Sequence, residues 1–148
     1  MKTVIYILTF FTLCFGQDEG LKFYNNGDFK SAQNYYEDIL DKKKDHEGAK
    51  FGLGASLFKE NRSDIAGELF RSLINSEDKE LASNAAFNYA NILKDEKKNK
   101  ESLEFFKESI KLNPNNENAK INYEILKNII KSEQDQSEQD QSEQDQSE

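Results

Sequence analysis

His46 is the single histidine of the chain, and it sits between Asp45 and Glu47. A histidine beside carboxylates could begin a metal site or an acid–base pair, but either needs further groups converging from elsewhere. The sequence places none, so His46 reads as a residue at a helix start. The pair Glu77-Asp78 also falls at a helix start, where the macrodipole favours negative charge without any call for proton transfer. Serines are plentiful, yet no histidine is placed to activate one through a triad. Cys14 is the one thiol and lies in an apolar leader, so the rest of the chain has neither a disulfide framework nor a thiolate metal site. Gly52-Leu53-Gly54 follows no strand and is not a phosphate loop. The expectation is therefore not an enzyme, with no cofactor and no metal.

What does recur is a packing pattern. Gly20, Gly54 and Ala90 are each followed twelve residues later by Ala32, Ala66 and Ser102, and four residues beyond those by Tyr36, Phe70 and Phe106. The steps between sets are 34 and 36 residues. Two antiparallel helices joined by a tight turn approach closely only where both carry small side chains, and an aromatic four residues on fills the space beyond the crossing. A period of this length marks a helical solenoid, whose units bury their apolar faces only by stacking. Asn26-Gly27-Asp28 and Glu60-Asn61-Arg62-Ser63 read as turns within units. Asp28, Ser63 and Asn99 are the expected caps of second helices, and Asp45 and Ser76 or Asp78 open first helices. A two-residue insertion near Leu81 and Ala82 lengthens one turn or helix end. No period-two alternation follows the leader, so no sheet is expected.

These residues resemble the tetratricopeptide repeat, with its small residue at position 8, Ala at 20, large apolar at 24 and Pro at 32. Phe23, Leu57 and Leu93 fall at position 11, and Pro114 at position 32 of the third unit. The chain departs from the pattern at Lys44 and Asp78, where Pro is usual, and at Ile39 and Leu73, which replace a small residue. The resemblance implies an all-α solenoid of about three helix pairs plus a C-terminal helix. The units run about 17–46, 47–80 and 83–116, with a terminal helix over 117–131 and the whole domain over 17–131. It also implies a concave groove lined by first helices, here Tyr24, Phe51, Phe58, Asn84, Phe87, Asn88 and Asn91, that binds a protein or peptide. Phe51 and Phe87 stand where relatives that clamp a terminal carboxylate carry Lys, so that clamp is absent.

Residues 1–16 read as a signal peptide: Met1-Lys2, an apolar run from Val4 to Phe15, then Gly16 before polar Gln17-Asp18-Glu19. The export this implies leads to the periplasm. The alternative is a lipoprotein anchored to the membrane through Cys14, although Leu13 stands where that signal wants a small residue. The net charge of −8 is unevenly spread. Residues 132–148 carry seven acidic and no basic side chains, whereas residues 17–131 carry 21 acidic and 19 basic ones. A nearly neutral domain with interspersed signs has no nucleic-acid footprint.

Near the end of the domain, Ala119, Tyr123, Leu126 and Ile130 form one stripe expected to pack on the third unit, and Ile121, Ile125 and Ile129 form a second. The second stripe is either a widened core face or an exposed strip that docks a partner or a second copy. From Ser132 the unit Ser-Glu-Gln-Asp-Gln repeats to Glu148 with no apolar residue, which predicts a disordered acidic low-complexity tail over 132–148. Leu112-Asn113-Pro114, Ala119 to Glu124 and the Gln-containing tail resemble the endings of the small exported tetratricopeptide proteins of bacterial aerotolerance (Bat) operons. That resemblance implies a scaffold in the bacterial cell envelope, beside membrane-bound von Willebrand A domain partners. The rival reading is a structural protein that forms homo-oligomers through the terminal apolar helix.

Overall fold

A computed structural model describes residues 18–145. The leader over 1–16, with Cys14, lies outside the described residues. Seven helices follow one another: α1 (Glu19–Asn25), α2 (Phe29–Lys42), α3 (Glu47–Lys59), α4 (Ser63–Leu73), α5 (Lys79–Asp95), α6 (Asn99–Leu112) and α7 (Glu117–Asp145). Each packs on its neighbour in sequence, and α3 also touches α1 and α5, so the first helices of successive pairs lie side by side. A hydrogen bond of 3.4 Å from Asn122 Nδ2 to Asn91 Oδ1 ties α7 to α5 in the same row.

The recurring residues do the packing expected of them. Ala32, Ala66, Ser102, Phe70 and Phe106 are fully buried, and Tyr36 nearly so. In the third pair Ser102 replaces Ala at the crossing, and its Oγ donates 2.7 Å to the Ala90 carbonyl across it. A Cβ on Gly20 would meet the Tyr36 and Tyr35 rings at 2.5–2.8 Å, and one on Gly54 would press Phe70 at 3.2 Å. The tightest approach, however, is at Gly52, where a Cβ would run into the Tyr36 ring.

Each intra-pair turn uses one device. Gly27, Asn61 and Lys97 all adopt positive φ, at 80°, 60° and 60°. The following amides, of Asp28, Arg62 and Lys98, donate back to the carbonyls of Phe23, Leu57 and Leu93 at 2.9–3.0 Å. This is a left-handed helix stop closed by a six-to-one bond, and it repeats with the period of the packing residues.

The caps differ in part from expectation. Asp28 accepts from the Ser31 amide at 3.1 Å, but Ser63 and Asn99 are the first residues of their helices. The cap positions equivalent to Asp28 are Arg62 and Lys98, and neither makes a side-chain cap bond. The one-residue slip arises because the turn ends at the residue after the left-handed one, whatever its type. His46, not Asp45, caps α3 by accepting from the Ala49 amide through Nδ1 at 3.1 Å. Asp78 caps α5 through two amides, while Ser76 is buried and donates to Glu47 at 2.7 Å. The insertion is absorbed by a shift of the turn: α4 stops at Leu73 and α5 starts at Lys79, leaving an 11-residue helix before a 17-residue one.

Two core clusters result. The larger joins α1 to α5 through Tyr36, Leu53, Leu57, Phe70 and Ile92, and the smaller holds Ala90, Phe106 and Leu126 with Phe87 and Tyr123 against them. Ala119 and Leu126 are buried and Tyr123 and Ile130 half-buried, as the first α7 stripe requires. Disorder beyond Lys131 is not visible: α7 continues to Asp145, with residues 131–137 exposed. Glu and Gln are good helix formers, and no Gly or Pro interrupts the segment, so propagation from a packed helix carries it on. Among the described residues no helix is long and apolar enough to cross a membrane.

Candidate functional site

At the N-terminal end of the row of first helices lies a cavity of about 350 Å³. Tyr24 of α1, Phe51, Ala55 and Phe58 of α3, and Asn88 of α5 line it. These residues reach one space because Tyr24 and Phe58 occupy equivalent positions of successive first helices, and Phe51 and Ala55 are four apart on one helix. Phe51 stands edge-on to Phe70 with ring centroids 5.5 Å apart, and Tyr24 edge-on to Phe29 at 5.3 Å. The rings are therefore held from behind while remaining half-buried at the surface.

Asp18 stands at the rim and was not singled out by the sequence pattern. Its Oδ1 accepts from the Leu21 amide at 3.2 Å and its Oδ2 from the Tyr36 hydroxyl at 3.1 Å. Burial raises the Tyr36 hydroxyl well above the ordinary tyrosine range, and the negative charge of Asp18 and its hydrogen bond push it further. Burial alone raises Tyr24. Gly48 and Gly52 complete the wall by contributing backbone without side chains. Both fall on the α3 face that carries Phe51 and Ala55, which is the signal that would have found them.

The remaining expected groove residues lie elsewhere. Phe87 is half-buried against Phe106 at 5.8 Å in the second cluster. Asn91 is taken up in structural bonding, donating 3.1 Å to the Phe87 carbonyl and accepting from Asn122. Asn84 is half-buried on α5, away from the cavity lining. The structure thus gathers Tyr24, Phe51, Phe58 and Asn88 into one cavity and leaves Asn84, Phe87 and Asn91 outside it.

At the other end of the row, Ile121, Ile125 and Ile129 are exposed by 56%, 54% and 43%. They continue the groove positions of α3 and α5, Ile121 matching Phe51 and Phe87. The positions of α7 that would meet a further second helix carry Glu124 and Lys127, paired at 3.5 Å, where the earlier units carry Gly or Ala and a large apolar residue. The exposed strip therefore lies on the side of α7 that carries the positions of Phe51 and Phe87, away from Glu124 and Lys127.

Behind the groove a polar knot fixes α5, α6 and the start of α7. Ser83 Oγ donates to the Ser109 carbonyl at 2.8 Å and Ser109 Oγ to the Ser83 carbonyl at 2.9 Å. Asn116 Nδ2 donates to both hydroxyls at 3.2 Å, and its Oδ1 caps α7 at the Ala119 amide. Among the described residues no three His, Cys, Asp or Glu side chains converge on a metal-sized site.

Residues 83–116 match the tetratricopeptide repeat family. With the seven helices and their repeated turns, the architecture is an all-α tetratricopeptide-like helical repeat. Such repeats generally bind protein partners and act as non-catalytic scaffolds, which suggests a protein-interaction role. No curated protein matches the chain in sequence.

Proposed function

We propose that this chain is a non-catalytic scaffold of the bacterial cell envelope that holds a protein partner in the groove formed by its first helices. The observation that carries the reading is the cavity walled by Tyr24, Phe51 and Phe58, half-buried rings packed against the larger core cluster, with Tyr24 and Phe51 also braced by Phe29 and Phe70. Rigid aromatic anchors in a concave wall are where binding energy concentrates. Export rests on the leader over 1–16, which directs the chain to the periplasm, or to the membrane as a lipoprotein if Cys14 is acylated. The ending at 112–124 favours membrane-bound von Willebrand A domain proteins as partners. A photo-crosslinking residue at Ala55 in the exported protein tests the groove: a discrete adduct with one envelope protein is expected, lost on Phe51→Ala with Phe58→Ala. Absence of protein adducts from every groove position would remove the reading.

A second reading is self-association through Ile121, Ile125 and Ile129, favoured by the exposure of three isoleucines on consecutive turns of one helix. Light scattering decides it. A dimer mass that reverts to monomer on Ile125→Lys supports self-association, and a monomer at all concentrations excludes it.

A further inference from the structure

The cavity at the N-terminal end of the groove has a sign. Of the residues that line it, Asp18 is the one with a charged side chain, and no Lys or Arg is among them. Both carboxylate oxygens are held, by the Leu21 amide and the Tyr36 hydroxyl, and both donors are neutral. The charge is thus fixed in position without being neutralised. Around it stand the rings of Tyr24, Phe51 and Phe58, whose faces carry the negative lobe of the aromatic quadrupole. The space over Gly52 is filled by the ring of Tyr36, whose hydroxyl holds the Asp18 carboxylate at the edge of the cavity.

We propose that the cavity receives an apolar side chain of an extended partner segment whose neighbouring residue is Lys or Arg, the cation lying between Asp18 and the rings. The proposal rests on the groove reading above and deepens it by naming the partner's chemistry. The apolar side chain fills a space of about 350 Å³ lined mostly by carbon. The neighbouring cation meets a carboxylate and ring faces that attract it together. Asn88, on the α5 wall, carries an amide able both to donate to and accept from the partner's backbone. An acidic segment would set its charge against Asp18 with no compensating cation in the wall, so the same geometry that attracts one class repels the other.

Three dye-labelled blocked peptides test this against the full chain by fluorescence anisotropy: Gly-Ser-Phe-Leu-Lys-Arg-Ser-Gly, its Glu-Glu counterpart in place of Lys-Arg, and its Ala-Ala counterpart in place of Phe-Leu. The basic peptide is expected to bind about tenfold more tightly than either counterpart. Asp18→Asn, which keeps a helix-capping side chain, should bring the basic and acidic peptides within about twofold of each other. Phe58→Ala should weaken the basic peptide by about tenfold with helix content unchanged by circular dichroism. Equal binding of basic and acidic peptides, or discrimination that survives Asp18→Asn, overturns the proposal but leaves the groove reading standing if Phe58→Ala still weakens binding about tenfold. Binding indifferent to Phe58→Ala removes both. If no peptide binds at about 1 mM, the cavity does not take partner segments and the proposal fails.

Discussion

At Gly52 the α3 backbone lies directly against the ring of Tyr36, which reaches across from α2 and ends on Asp18. One aromatic side chain therefore sets both the spacing of the first two pairs and the position of the rim carboxylate. Gly52→Ala forces the ring or the helix to move, and the expected loss is about 1–3 kcal/mol by urea unfolding. The same ring carries a pH signature. The folded state raises the Tyr36 hydroxyl above its unfolded value, so the unfolded chain loses its proton first. The stability this gives is complete below a pH of about 10, the unfolded tyrosine value, and is lost as pH rises through the folded value. Unfolding midpoints should fall on the alkaline side, and less steeply in Tyr36→Phe; an unchanged alkaline slope would mean the buried hydroxyl does not contribute. Lys97 shows a cost of a different kind. It holds φ of 60° where the first unit has Gly27, and a side chain in that region is strained. Lys97→Gly should raise stability by about 1 kcal/mol, read from the urea midpoint, because it relieves that strain at a turn whose hydrogen bonds are already made.

Between elements, the packing residues were legible and the connections less so. Small residue, Ala or Ser, and aromatic recur because close helix crossing demands those volumes, so a volume pattern in sequence predicts them. The turns yield to sequence only partly, since the left-handed position is filled by Gly, Asn and Lys in turn, and a Lys there gives no signal. That is why Ser63 and Asn99 read as caps, one residue beyond the positions where Arg62 and Lys98 stand without side-chain bonds. The Ser83–Ser109–Asn116 knot was invisible for another reason: its members are 26 and 7 residues apart, and serine on a helix carries no periodic signal. Its behaviour is predictable now that it is seen. Either Ser83→Ala or Ser109→Ala leaves the partner's buried hydroxyl with fewer bonds, at an expected cost of about 1–3 kcal/mol. The double substitution should cost clearly less than the sum of the two, since it removes both ends of the shared pair. Strict additivity in the cycle would show that the two serines do not act together.

Over the whole molecule, charge and apolar surface are separated along the row of first helices. An aromatic cavity with one carboxylate lies at the start, an isoleucine strip at the end, and beyond it an acidic extension of α7. The groove's direction was readable from repeat position, but which of its residues face open space was not, because Asn84, Asn88 and Asn91 look alike until Asn122 claims Asn91. The acidic extension is where the sequence and the backbone differ most, and its energetics can be argued. Residues 131–137 are exposed, so no apolar burial holds them. Glu133 and Gln134 do share a shallow cleft with Lys97, Lys98 and Lys100 at the turn between α5 and α6. Attraction between such exposed charges is worth about 0–1 kcal/mol and is screened by salt. A chain ending at Lys131 should therefore lose less than about 1 kcal/mol in low salt and essentially nothing at about 1 M salt, where the screening length falls to about 3 Å. It should also lose helical ellipticity in proportion to the residues removed. A larger loss that salt does not reduce would mean that the pentapeptide extension packs on the domain, and that the solenoid ends beyond the charged pair Glu124 and Lys127 rather than at it.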